Sequence, residues 1–198
     1  MKKLTLILSA MFFHIFLQAY ECRGEVISKN HTPPAKTKYE KFISADGQIL
    51  VREFYKLNSP LHLNSYLINL DTKLIKVTSV NNNKTIIGLQ FRYTKKSKYA
   101  LTFTNILDED EILSLSKALA YMQKNVTKMS KNCKTYTEVE YASRGGFKAG
   151  FYIIPQKNKN VVSYYMIIRG KLVSLPTLSG LATTIKDSEN MLKEIKSN

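Results

Sequence analysis

The spacing of apolar residues changes period along this chain, and that change limits the folds open to it. Over residues 85–94, "TIIGLQFRYT" alternates. Ile87, Leu89, Phe91 and Tyr93 fall on one face, Gln90 and Arg92 on the other, as in a half-buried strand. "YALTFTNI" (99–106) alternates again, with Tyr99, Leu101 and Phe103 on one side. The period then lengthens. In "DEDEILSLSKALAYMQKNVTKM" (108–129) the apolar residues are Ile112, Leu115, Leu119, Met122 and Val126, one stripe of an amphipathic helix. Asp108 and Glu111 have capping-box spacing, and the acidic cluster suits the positive end of a helix dipole. That accounts for "DEDE" without a metal.

The same order recurs on both sides of this helix. Before it, "YEKFIS" and "QILVREFY" flank Asp46–Gly47, read as a hairpin turn. "SYLINL" and "KLIKVTSV" flank Asp71–Thr72, a second hairpin candidate, and "NNNK" (81–84) is a turn. After it come the strands "TYTEVEYAS", "FKAGFYII", "VVSYYMIIRG" and "KLVSLP", with a turn at Gly145–Gly146. A final helix from about Leu178 carries Leu181, Ile185, Leu192 and Ile195 on one stripe, interrupted by Ser188, with Thr177 or Ser179 to cap it. Neither helix can hide its stripe without a sheet. The expected fold is α+β: antiparallel sheets with two helices, in a duplicated arrangement of strands plus helix, residues 39–130 and 134–197, within one globular domain, 39–198.

The first 19 residues predict export. Lys2 and Lys3 precede an apolar run, Leu4–Leu17, and "LQA" ends in a small residue, Ala19. This is the layout of a cleaved signal peptide, and the 14-residue run is short of the roughly 20 needed to span a bilayer. Residues 20–38, with Pro33–Pro34, read as a flexible arm. The expected location is the periplasm or cell exterior. Tyr20 and Glu21 are too bulky and too charged for a lipid-attachment site at Cys22. Export would place Cys22 and Cys133, the two cysteines of the chain, in an oxidising space where they form a candidate disulfide. A free thiol is the alternative.

Charge is the other strong total: 30 Lys+Arg against 15 Asp+Glu, formally +15. Arginine occurs only at 23, 52, 92, 144 and 169. Lysine is a hydrated point charge rather than a forked phosphate reader, so the excess points to a surface that attracts anions. The candidate anion-binding residues are Arg92, Lys95, Lys96, Lys98, Arg144 and Lys148. The expected partner is an anionic envelope polymer or a protein.

Motifs for catalysis are sparse. The histidines are His14, His31 and His62, with no acidic or cysteine neighbour at ligand spacing. No P-loop, dinucleotide fingerprint or GxSxG elbow occurs, and nothing implies a cofactor or metal. Glu138 and Glu140 share a strand face with Tyr136 beside them, which allows a carboxylate-dependent hydrolase as an alternative. The balance favours a binding or structural module.

Basic and aromatic residues interleave in "FRYTKKSKY", "GFKAGFYIIPQKNKN" and "YYMIIRGK", as in sheets that bind single strands. Strands closing on "YALTFTNILDEDEILSLSKALAYM", then on "GKLVSLPTLSGLATTIKDSENML", resemble the doubled four-strands-plus-helix plan of Whirly-type single-stranded nucleic-acid binders. The resemblance covers roughly residues 40–196 and lies in element order. It implies two sheets with their helices and a single-stranded nucleic acid as an alternative partner.

Overall fold

A computed structural model describes residues 36–61, 63–64, 68–96, 100–157 and 159–197, all within one compact unit. The doubled plan is present. In the first half lie α1 (Lys38–Ile43), β1 (Leu50–Lys56), β2 (Leu63–Asn64), β3 (Ile68–Ser79), β4 (Thr85–Lys95), β5 (Leu101–Asp108) and α2 (Glu109–Asn132). The second half contains β6 (Thr137–Ala142), β7 (Lys148–Ile154), β8 (Val161–Ile168), β9 (Lys171–Leu175) and α3 (Ser179–Ser197). Both sheets are antiparallel, ordered β1-β3-β4-β5 and β6-β7-β8-β9. The short β2 pairs with β3 at the end that β1 leaves open.

One core serves both halves. Leu89 and Phe91 of the first sheet, Phe151 and Met166 of the second, Leu115 and Leu119 of α2 and Ile185 of α3 are all fully buried in a single cluster. Phe91 stacks on Phe147 with ring centroids 4.7 Å apart. The stripes foreseen on both helices are the faces turned to this core. Ser188, which breaks the α3 stripe, stays buried by donating its hydroxyl to the Thr184 carbonyl at 2.8 Å. Just before α3, the Thr177 hydroxyl accepts the Ser179 amide at 3.2 Å.

Two expectations fail. "YEKFIS" is α1, a helix and not a strand. The Thr37 hydroxyl accepts from the Glu40 amide while the Glu40 carboxylate accepts from the Thr37 amide, a capping box. Tyr39, Phe42 and Ile43 then lie at helical spacing over Ile75, Val77, Ile86 and Ile106, forming a second, smaller core. Asp46–Gly47 therefore links a helix to a strand. Thr37 is 1% exposed, so the folded body begins inside the stretch read as an arm. The second failure is the hairpin at Asp71–Thr72, which lies within the continuous strand β3. With no glycine to take φ > 0, this pair has little turn preference. Instead Asp71 faces Arg92 across β4, and buried Thr72 accepts the Leu61 amide at 2.9 Å.

β3 also serves both cores. Leu70, Thr72 and Leu74 face the main cluster, and Ile75, Val77 and Ser79 are buried on the α1 side. The β8–β9 turn runs through Arg169 and Gly170 at φ 48° and 77°, the left-handed pair that tight hairpins require. The Arg169 guanidinium donates to the Thr104 carbonyl and pairs with Glu40, tying this turn to β5 and α1. No helix among the described residues is long and apolar enough to cross a membrane.

Candidate functional site

The carboxylates cluster at two places, and both clusters hold the fold together. The first lies where α2 begins. Asp108, at the end of β5, turns its buried carboxylate toward α1 and accepts the amides of Lys38 at 2.7 Å and Tyr39 at 2.9 Å. Glu111 accepts the amide of Asp108 at 2.9 Å and that of Arg144 at 2.7 Å. The Arg144 guanidinium donates to Asp108 at 2.9 Å and to both oxygens of Asp110 at 2.9 and 2.8 Å. Hydrogen bonding from Arg144 holds the Asp110 carboxyl down at about 2. The "DEDE" segment thus caps α2 as expected, and its Asp108 caps α1 as well.

The second cluster is on the outer face of the second sheet. Tyr165 on β8 pairs with Gly150 on β7, and Gly150 with Glu140 on β6. The Tyr165 hydroxyl nevertheless reaches Glu140 at 2.9 Å and also contacts Glu138. Strands lie about 4.8 Å apart, so the ring must reach across β7 to meet Glu140. Burial, and then hydrogen bonding to the two carboxylates, push the Tyr165 phenol above its ordinary range. Glu140 also accepts from Lys148 at 2.7 Å, and Tyr136 donates to Glu138 at 3.4 Å. The structure brings together the three residues proposed for carboxylate chemistry and adds Tyr165 and Lys148. Sequence spacing could pair the two glutamates but not reveal a phenol arriving from two strands away.

The five described residues among the six proposed for anion binding do not form one patch. Arg144 and Lys148 are held by carboxylates as above. Arg92 lies exposed on the face of the first sheet away from the main core, Lys95 ends β4 and Lys96 follows it. Lys98, like Cys22 and the three histidines, falls outside the described residues. Among the described residues Cys133 is unpaired, its thiol donating to the Thr135 carbonyl at 2.7 Å. No disulfide, and no cluster of three or more His, Cys, Asp or Glu able to hold a metal ion, occurs among the described residues.

Lysines from two elements line one cavity, two of them from the "QKNKN" stretch noted for its basic residues. A cavity of about 500 Å³ opens between the last turns of α2 and the β7–β8 loop. Lys131 comes from the helix, and Lys157 and Lys159 come from the loop. No carboxylate lines it, and none of the three lysines forms an ion pair among the described residues. Asn160 fixes the junction by donating to the carbonyls of Ser130 at 2.6 Å and Cys133 at 2.9 Å. A larger cavity of about 630 Å³ near α1 also contains lysines, but there Lys38 pairs with Asp110 and Lys196 with Glu109. Of these two cavities, the first is lined by three lysines that pair with no carboxylate among the described residues. Three cations around one concavity can bind an anion.

No family model, no curated protein and no solved structure matches this chain. The Whirly-type likeness therefore rests on element order alone.

Proposed function

We propose that this chain is an exported binding module whose ligand is anionic and is held by Lys131, Lys157 and Lys159. The observation that carries this reading is the carboxylate-free cavity on which those three side chains converge. Among the described residues, other basic side chains, including Arg144, Lys148 and Arg169, are engaged by carboxylates and so contribute less to attracting a ligand. Export is supported by Lys2 and Lys3, the apolar run Leu4–Leu17 and Ala19, and it suits a basic protein that meets charged polymers of the cell envelope or exterior.

An interaction carried by exposed ammonium groups is screened by salt. Three such contacts predict that affinity for a sulfated polysaccharide falls about 20-fold between about 50 and 200 mM salt. Fluorescence polarisation with the labelled polysaccharide measures this. An affinity unchanged over that range would refute an electrostatic site.

A further inference from the structure

We infer that the lysine cavity takes a small ligand bearing clustered phosphate groups and a planar or apolar body. This rests on the anion-binding reading and adds the ligand class.

Charge balance sets the valence. Three lysines line a cavity beside the C-terminal end of α2, whose aligned peptides amount to roughly half a negative charge. Two carbonyls at that end are already bonded by Asn160. The remaining field is well over two positive charges, which a single carboxylate leaves unbalanced and a diphosphate neutralises. If these lysines served only to complement the helix end, Lys131 in its last turn would suffice. Lys157 and Lys159 belong to a different element and reach the same space.

Shape sets the size. A cavity of about 500 Å³ falls within the range of pockets for small molecules, about 300–1,000 Å³. The three lysines line one concavity and not a track, so a compact ligand fills the site, and a long polyanion would engage it through only a few of its charges.

The lining describes the rest of the ligand. Thr127 and Ser130 offer hydroxyls near the lysines, while Val162 and Tyr164 form an apolar wall. Tyr164 is held edge-on against buried Phe151, with ring centroids 6.3 Å apart, so its position is fixed before any ligand arrives. A ring or other flat group attached to the phosphates can pack there.

The test titrates the full-length protein with inorganic diphosphate, a nucleoside diphosphate, a single-stranded oligonucleotide and a sulfated polysaccharide, by calorimetry at low salt. The inference expects one diphosphate per chain, with the nucleoside diphosphate bound about tenfold tighter because its flat body uses the apolar wall. The double variant K157A/K159A should weaken both by about tenfold or more, and K84A, on the distant β3–β4 turn, should weaken neither. Y164L should remove the advantage of the nucleoside while sparing inorganic diphosphate. If the polysaccharide or the oligonucleotide binds and neither diphosphate does, the ligand class is wrong and the anion-binding reading survives. Diphosphate binding unaffected by K157A/K159A would place the site elsewhere and overturn the inference. If no anion binds at low salt, the anion-binding reading falls and takes the inference with it.

Discussion

Asp108 and Asp110 contact the same guanidinium from opposite sides of the solvent boundary, so replacing each by alanine separates burial from charge pairing. The Asp108 side chain is 2% exposed and the Asp110 side chain 49%. Asp108 holds Arg144 and the first amides of α1, at 2.7 and 2.9 Å. Losing a helix cap costs about 1 kcal/mol, and breaking a buried ion pair costs about 3 kcal/mol or more. Arg144 retains Asp110 and Glu111 in D108A, which offsets part of the second term, so about 3 kcal/mol is expected in total. D110A removes a half-exposed pair and should cost less than about 1 kcal/mol. In a domain of this size about 2–4 °C accompanies each kcal/mol. D108A should then melt about 6–12 °C lower, and D110A within about 4 °C of the parent. Thermal and urea unfolding followed by circular dichroism give both values, and hydrogen exchange at Lys38 and Tyr39 reports α1 directly. Equal losses for the two variants would refute the claim that burial and backbone capping make Asp108 decisive.

Two further predictions concern acid and backbone space. Arg144 lowers the Asp110 carboxyl from 3.8 to about 2 in the folded state. Its stabilisation is therefore present above the unfolded value and lost as pH falls from about 4 toward 2. The urea midpoint should drop through that window by a small amount, since the group is half exposed, and D110N should lose that component of the drop; an undiminished drop in D110N would assign it to other carboxyls. In G150A, the added carbon would sit 2.1 Å from the Val139 carbonyl oxygen. β6 and β7 must separate there, at a cost of about 3 kcal/mol. G170A meets no atom within 4 Å but keeps φ at +77°, so about 1 kcal/mol is expected. Melting temperatures in the reverse order would contradict this account.

What could be read from sequence were patterns repeated within one element. The α2 stripe from Ile112 to Val126 and the alternation of Ile87, Leu89, Phe91 and Tyr93 each declare a buried face several times over, and the fold follows both. α1 escaped because six residues hold too few repeats to separate the two periods. Its signal was the Thr37–Glu40 box, a capping spacing just before Tyr39, Phe42 and Ile43. The break assigned at Asp71–Thr72 failed for a different reason. Asp71 lies opposite Arg92 in the register of β3 and β4, and Thr72 accepts the Leu61 amide, neighbours that only the assembled fold supplies. The lysine cavity is the same case at longer range. Lys157 and Lys159 stand in a stretch marked only as rich in basic and aromatic residues, and Lys131 near the end of a helix; only the packing of α2 against the β7–β8 loop brings the three to one cavity.

The division of charge explains how a strongly basic chain can fold and still retain a binding site. Self-repulsion among 30 cations opposes compaction, and 15 acids cannot answer it by number. They answer it by placement. Asp108, Glu111 and Arg144 lock α1 and α2 to the turn before β7, Asp187 accepts the Ser59 amide to hold α3 to the β1–β2 connection, and Glu138 and Glu140 pin Tyr165 across three strands. Each of these carboxylates joins segments distant in the chain, so its contribution falls where loop-closure entropy must be overcome. Lys131, Lys157 and Lys159 take part in no ion pair of this kind among the described residues. Removing their charge breaks no native pair and relieves repulsion among like charges. Binding at the cavity can accordingly change without the fold changing with it, because the groups that hold the chain and the groups that face the ligand are different ones.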